Sequence, residues 1–98
     1  MEIIVNKERG DEDYAKELAK LIRENESVTL NFYGVKYLTS DFFTSLFTGA
    51  FAKDTFVRDV EKVSLKNANR FVTDAYVSSL KHYAFMMTES ATLREVFR

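Results

Sequence analysis

Residues 28–47 read VTLNFYGVKYLTSDFFTSLF, and this stretch decides the fold because its hydrophobic period changes partway along. Apolar and polar residues alternate over 27–33, which predicts a β-strand with one buried face. From residue 40 to about 53 the apolar residues recur at helical spacing instead, which predicts a second helix. The predicted inward stripe of that helix is Phe42, Phe43, Leu46, Phe47, Ala50 and Phe51.

Hydrophobic periods on either side of this stretch predict the remaining elements. The other predicted elements are a strand over 2–5, a helix from Asp11 to about Asn25, a strand over 61–66 and a helix over about 69–83 capped within residues 67–69. The predicted inward residues of the last helix are Phe71, Val72, Ala75, Tyr76, Leu80 and Tyr83. Residues 54–60 read as a loop. The tail over 85–98 is predicted to carry a C-terminal accessory helix, with SATLREVFR as a short amphipathic helix capped by Ser90.

This element order predicts an α/β fold of the form βαβαβα, with a mainly parallel sheet joined by helical crossovers. Strands covered on both faces would read as unbroken apolar runs, whereas the two later strands alternate. We therefore expect the helices to lie chiefly on one face of the sheet. The other face would be solvated, covered by a partner or covered by the tail.

The composition fits a single soluble domain over residues 1–98. Lys and Arg total 14 against 15 Asp and Glu, so the net charge of -1 lacks the basic excess of a nucleic-acid binder. Cys is absent, which excludes disulfides and thiolate chemistry. No apolar run is long enough for a signal peptide or a membrane span, so we expect a cytoplasmic protein without a membrane partner.

The sequence carries no recognisable catalytic or cofactor motif. His82 is the only histidine, and the three glycines are scattered rather than arranged in a phosphate-binding loop. The acids at 11–13 could hold a metal, but neighbouring helical residues point in different directions, and stabilisation of the helix dipole explains them more simply. We therefore expect a protein that is not an enzyme and has no cofactor or metal.

Three small polar residues, Thr39, Ser40 and Asp41, lie where the strand gives way to the second helix. Their simplest role is to begin that helix, with a hydroxyl as N-cap and a carboxylate near the positive end of the dipole. The outward face of the helix, however, has no charge until Lys53. Such a face is cheap to desolvate, so we predict a partner-binding surface, unless another part of the same chain covers it. The predicted partner-binding residues are Thr39, Ser40, Asp41, Thr44, Ser45 and Thr48.

The stretch VTLNFYGVKYLTSDFFTSLF also resembles the core of STAS domains, the anti-sigma factor antagonist and sulfate-transporter type, and is most similar to a bacterial STAS-like family of unknown function. The resemblance follows Leu30-Asn31-Phe32 at the strand end, the Gly34-Val35 turn and the apolar step at Tyr37-Leu38. Thr39-Ser40 then stands for the hydroxyl cluster of that family. VEKVSLKNANRFV, residues 60–72, resembles the next strand and helix start, so the likeness covers roughly 26–80.

The resemblance implies a regulatory protein-binding module. Anti-sigma factor antagonists carry an Asp-Ser-Ser-Gly-like segment at this junction, in which a partner kinase-ATPase phosphorylates a serine. In this chain Thr39 occupies the position of the Asp and Ser40 that of the first Ser. Asp41 occupies the position at which the phosphorylated Ser is usually found. The implied partner is a histidine-kinase-like ATPase or a sigma-regulatory protein, and the implied phosphate acceptor is Ser40 or Thr39.

Two alternatives remain open from the sequence. The chain could be a small-anion or nucleotide-responsive domain, with the ligand at the N-terminus of the second helix. It could also be a homodimer that uses the open sheet face or the C-terminal tail.

Overall fold

The computed structural model describes the backbone of residues 1–96 and the side chains of residues 1–87. The elements in chain order are β1 (Glu2–Ile4), α1 (Glu12–Glu24), β2 (Val28–Asn31), α2 (Ser40–Ala50), α3 (Phe56–Glu61), β3 (Val63–Lys66) and α4 (Arg70–Val96). The α/β class and the parallel sheet agree with the sequence prediction. The order differs from it by one added helix, α3.

The sheet has three parallel strands in the order β1-β2-β3. Ile3, Leu30 and Leu65 lie side by side in the register and face the core, as the alternation predicted. The opposite face carries mainly polar side chains, and its one large apolar residue, Ile4, is 71% exposed. The described helices therefore cover one face of the sheet, as we expected from the alternating strands.

Helix α1 begins and ends where the sequence indicated. The Asp11 carboxylate accepts a hydrogen bond from the Tyr14 backbone N–H at 3.1 Å, which caps the first turn, and Asn25 ends the helix. The buried stripe of α1 packs against α2. Arg23 lies in the last turn, the end at which the helix dipole favours a cation.

Helix α2 is the centre of the core and packs against both α1 and α4. All six residues of its predicted stripe are buried, which confirms that prediction. The Phe47 ring stacks on Phe43 and Phe51 with centroid distances of 6.0 and 5.3 Å, and meets Tyr76 of α4 edge-on at 5.1 Å. These aromatic contacts fix the orientation of α2 and thus the direction of its outward face.

The loop prediction for residues 54–60 was wrong, because most of this segment forms α3. The cause is Asp59, which is buried although the sequence suggests a solvated acid. Its carboxylate accepts hydrogen bonds from the Thr55 hydroxyl at 2.6 Å and from the Ala52 N–H at 3.1 Å. These bonds join the end of α2 to α3 and stabilise a turn that local propensity does not specify.

Helix α4 begins as predicted, with the Asn69 side chain accepting from the Val72 N–H at 2.8 Å. Val72 and Tyr76 are buried, but the inward prediction for Phe71 was wrong, since its ring is 73% exposed. Phe71 precedes Val72 by one residue and so lies about 100° around the helix from it. The helix continues unbroken through Ser90 to Val96, so a separate helix capped at Ser90 is not formed in the described residues.

None of the helices in the described part of the chain combines the length and apolarity that crossing a bilayer requires.

Candidate functional site

The segment between β2 and α2 is held in one shape by contacts on both sides. Gly34 turns the chain with a φ of +79°, which a residue without a Cβ adopts at low cost. Val35 and Leu38 are buried and anchor the segment to the core. The Asn69 amide donates hydrogen bonds to the carbonyl oxygens of Val35 and Lys36 at 3.1 and 2.8 Å. The junction thus reaches α2 as a braced loop.

Thr39 is the N-cap of α2. Its backbone is extended, and its Oγ1 accepts a hydrogen bond from the Phe42 N–H at 3.1 Å. Its carbonyl oxygen accepts from the Phe43 N–H at 3.3 Å. The helix-starting role predicted for this position is therefore present, and the Thr39 hydroxyl is engaged by the fold.

Ser40 and Asp41 form the first turn of α2 and are exposed. Within the described residues neither side chain makes a hydrogen bond or ion pair, in contrast to Thr39 beside them. Both groups are therefore available to a molecule that approaches the N-terminus of the helix. An incoming group would meet the Ser40 hydroxyl and the Asp41 carboxylate before any other side chain of α2.

The other predicted partner-binding residues continue this surface along the helix. Thr44 and Thr48 are exposed and Ser45 is half-buried. The Thr48 hydroxyl donates a hydrogen bond to the Thr44 carbonyl oxygen at 2.7 Å. Asp41, Thr44, Ser45 and Thr48 recur at i, i+3, i+4 and i+7 and so share one face. We call the face formed by Thr39, Ser40, Asp41, Thr44, Ser45 and Thr48 the α2 strip.

The flanking helices approach the far end of the α2 strip, around Thr48 and Gly49. A Cβ added at Gly49 would lie 2.8 Å from the Ala19 Cβ, so α1 approaches α2 closely there. The Arg23 guanidinium donates to the Gly49 carbonyl oxygen, and on the α4 side the Tyr83 hydroxyl donates to the Phe51 carbonyl oxygen at 3.3 Å. Within α2 itself the only charged residue is Asp41. The strip is therefore a narrow, almost uncharged surface between two helices.

A groove of about 280 Å³ adjoins the start of the α2 strip and is lined in part by Lys7, Tyr37 and Thr39. Of the apolar step predicted at Tyr37-Leu38, only Leu38 is buried, and Tyr37 is 72% exposed. Tyr37 and Lys7 are candidate contact residues that the sequence alone did not indicate. For Tyr37 the available signal was its place in a strand-to-helix loop, where exposed aromatic residues often make contacts.

Asn31 connects the two loops at this edge of the sheet. It lies on the open face yet is only 8% exposed, because neighbouring side chains cover it. Its Oδ1 accepts from the Tyr33 N–H at 3.0 Å and from the Asn67 amide at 3.1 Å. Asn31 thus ties the end of β2 to the turn before α4, which in turn supports the loop that leads to Thr39.

A charged bridge spans the open face of the sheet beside Asn31. The Lys66 ammonium donates to the Glu2 carboxylate at 3.1 Å, and the Asn31 amide donates to the same carboxylate at 3.3 Å. The hydrogen bond from Lys66, and then that from Asn31, hold the pKa of the Glu2 carboxyl below its ordinary value. This face is therefore polar and solvated at its centre.

A second groove, of about 440 Å³, lies near the ends of α1 and α3. Its lining residues are Arg23, Glu24, Asn25, Glu26, Arg58, Asp59 and Lys62. Because three cations face three acids there, the groove does not favour a ligand of either charge. In the described part of the chain no three His, Cys, Asp or Glu residues cluster so as to hold a metal ion, and His82 lies exposed on α4.

Comparisons of the chain with protein-family models, with curated proteins and with solved structures find no match. The function is therefore inferred from the geometry of the α2 strip together with the sequence resemblance to STAS domains.

Proposed function

We propose that the chain is a non-enzymatic regulatory module of the STAS-like, anti-sigma factor antagonist type, which docks on a protein partner through the α2 strip. The observation that carries this proposal is the continuity of the strip: Asp41, Thr44, Ser45 and Thr48 share one outward face of a helix whose opposite face packs into an aromatic core, and Thr39 and Ser40 lie at the start of that helix. A rigid, weakly charged helix face loses little solvation on contact and needs little reordering.

The geometry favours a protein over a small anion at this position. The helix N-terminus would attract an anion, but the Phe42 N–H is already bonded to Thr39, and the Asp41 carboxylate stands in the first turn. A second negative group would be repelled by Asp41. A protein surface can instead donate hydrogen bonds to that carboxylate while covering Thr44 and Thr48.

Ser40 is the phosphate acceptor that we assign within this proposal. Its hydroxyl is exposed and makes no hydrogen bond among the described residues, whereas the Thr39 hydroxyl caps α2. A phosphate on Ser40 would add a charge of about -1.5 to -2 at the helix N-terminus, next to Asp41. The added charge would alter docking at the start of the strip without removing the cap.

The partner class follows from the resemblance and is a histidine-kinase-like ATPase or a sigma-regulatory protein. To test it, the tagged chain is used to capture proteins from the source cell, and calorimetry then measures the affinity for a captured partner of that class. Thr48→Glu places a charge in the middle of the strip, and we expect it to weaken binding by about tenfold or more. Ser27→Glu, an equal charge change at an exposed turn outside the strip, is the matched control and should leave binding unchanged.

Asp41→Ala should weaken the same complex while leaving the unfolding transition close to that of the wild type, because the carboxylate is exposed. Equal affinities for the wild type, Thr48→Glu and Asp41→Ala would remove the α2 strip from the interface. Saturable binding of inorganic phosphate or ATP by the isolated chain, lost in Thr48→Glu, would favour the ligand-responsive alternative instead. Mass spectrometry of the captured chain locates any phosphate on Ser40 or Thr39.

A further inference from the structure

Helix α4 presents a second uncharged line of residues, on the side turned away from the core. Phe71, Ser78 and Phe85 are all exposed, the two rings at 73% and 58%. They are spaced seven residues apart and therefore lie nearly one above the other along the helix. The rings are separated by about 21 Å along the axis, at a rise of about 1.5 Å per residue. We call Phe71, Ser78 and Phe85 the α4 line.

The α4 line has no role in the core of the subunit. The core-facing side of α4 is formed by Val72, Tyr76 and Ser79, which are buried. Two large aromatic rings turned away from that side expose apolar surface that packs against none of the buried core residues described. An apolar line at heptad spacing is also the arrangement by which helices pair with one another.

Two opposite charges stand on the same flank of the α4 line. Asp74 precedes Ser78 by four residues and Lys81 follows it by three. Both are exposed, and both lie about 40–60° around the helix from Ser78 in the same sense. The pattern is therefore nearly self-complementary about Ser78: a ring stands at each end, a negative charge lies on one side of the centre and a positive charge on the other.

We propose that the α4 line is the interface of a homodimer in which two copies of α4 pack antiparallel, with the two-fold axis near Ser78. This arrangement sets Phe71 against the partner's Phe85, and the same contact recurs by symmetry. It sets Asp74 opposite the partner's Lys81, also twice. In a parallel pair the copies of Asp74 and Lys81 would lie on opposite sides of the interface, and no opposite charges would meet. Charge complementarity therefore selects the antiparallel pair and the second copy as the occupant.

The ion pair that Asp74 makes within its own subunit does not oppose this arrangement. Arg70 and Asp74 approach to 3.7 Å, but their side chains are 90% and 69% exposed. Such a pair is screened by solvent and contributes little, so Asp74 can also contact the partner's Lys81. The aliphatic stem of Arg70 would lie over the outer end of the same interface.

The proposed contact between the two copies of α4 is short, and its length sets the affinity expected for the dimer. A helix pair of about 21 Å length lies at the small end of specific interfaces, so we expect a dissociation constant on the order of micromolar. The dimer uses α4 rather than the α2 strip, and so it goes beyond the proposed regulatory docking and does not depend on it.

Sedimentation equilibrium of the full chain, from about 5 to about 500 μM, tests the proposal over the expected range. The wild type should pass from monomer to dimer as its concentration rises. Phe71→Ser and Phe85→Ser should each weaken the dimer by about tenfold or more. Because both rings are exposed, circular dichroism and thermal unfolding of these variants should match the wild type at low concentration.

Exchanging the charges of Asp74 and Lys81 tests whether the two copies of α4 pack antiparallel. Asp74→Lys alone and Lys81→Glu alone should each weaken the dimer by about tenfold, because each creates two like-charge contacts. The double variant Asp74→Lys/Lys81→Glu should recover most of the wild-type affinity. Lys16→Glu makes the same charge change on α1, in an exposed pair with Glu12, and should have no effect.

Three outcomes would overturn the proposal. The first is a wild-type chain that stays monomeric over the whole range, which would leave the α4 line to a different partner. The second is a dimer that Phe71→Ser and Phe85→Ser leave unchanged. The third is a double charge exchange that fails to recover affinity lost in the single variants.

Discussion

The Oγ1 atom of Thr39 lies 3.1 Å from the backbone nitrogen of Phe42 and accepts its hydrogen bond. This contact distinguishes the neighbouring hydroxyls at the start of α2: that of Thr39 caps the helix, and that of Ser40 is exposed. A covalent change at Thr39 would therefore disturb the fold, whereas the same change at Ser40 would alter only the surface. The N-cap and the proposed signalling position are adjacent residues with separate roles.

Thr39→Ala should lower the free energy of unfolding by about 1 kcal/mol, because the Phe42 N–H loses its acceptor at the helix start. Thr39→Ser should remain close to the wild type, since its hydroxyl can make the same bond. Urea unfolding of the three proteins measures the difference. Ser40→Ala is the neighbouring control, and a loss as large as that of Thr39→Ala would contradict the separation of roles.

Phe47→Ala should destabilise the chain by about 3–5 kcal/mol, as expected for a fully buried aromatic residue. Its ring contacts Phe43 of α2, Phe51 at the C-cap of that helix and Tyr76 of α4, so truncation leaves a cavity between helices. Phe71→Ala, which removes an equal ring from the surface, should change unfolding by less than about 0.5 kcal/mol at low protein concentration. Equal losses from the two substitutions would mean that α2 is not the centre of the core.

The sequence alone predicts those parts of the fold that depend on the local hydrophobic period and on helix capping. Alternation in β2 and the stripe of α2 each place their buried residues correctly, because a single face of each element meets the core. The caps at Asp11 and Asn69 are likewise local, since each side chain bonds a backbone N–H three residues ahead. These features need no knowledge of distant contacts.

The features that the sequence missed depend on contacts between elements. Asp59 looks solvated until Ala52 and Thr55 supply its hydrogen-bond donors, and α3 forms around those bonds. The exposure of Phe71 depends on the side from which α2 approaches α4, which the apolar spacing of α4 alone does not fix. In the candidate site, the sequence predicted the exposed face of α2. Only the structure distinguishes the Thr39 hydroxyl, which caps the helix, from the Ser40 hydroxyl, which is exposed.

Asp59→Asn should destabilise the chain by about 1–3 kcal/mol at neutral pH, because a charged acceptor of two hydrogen bonds becomes a neutral amide. Burial by itself would raise the pKa of the Asp59 carboxyl. The hydrogen bonds from Thr55 and Ala52 oppose this effect, as do the nearby positive charges of Lys62 and Arg58, and together they lower the pKa below its ordinary value. A lowered pKa in the folded state gives stability that is present above the unfolded pKa of about 3.9.

That contribution is lost as the pH falls through the folded-state pKa of Asp59. The gap in unfolding free energy between wild type and Asp59→Asn should therefore be widest near neutral pH and should narrow below about pH 4. Urea unfolding across this range measures the gap. Asp54→Asn, an exposed acid two residues before α3, is the control. A gap that stays constant down to strongly acidic pH would contradict an ionised Asp59 as the acceptor.

Gly49→Ala should destabilise the chain by about 1–3 kcal/mol, although alanine is the better helix former by about 1 kcal/mol. The added Cβ would lie 2.8 Å from the Ala19 Cβ, so α1 and α2 must move apart. The double variant Ala19→Gly/Gly49→Ala removes that clash and should be more stable than the sum of the two single losses implies. Urea unfolding of all four proteins gives the coupling energy. Strict additivity would mean that the helices do not approach at Gly49, and the α2 strip would then lose the flank that defines its width.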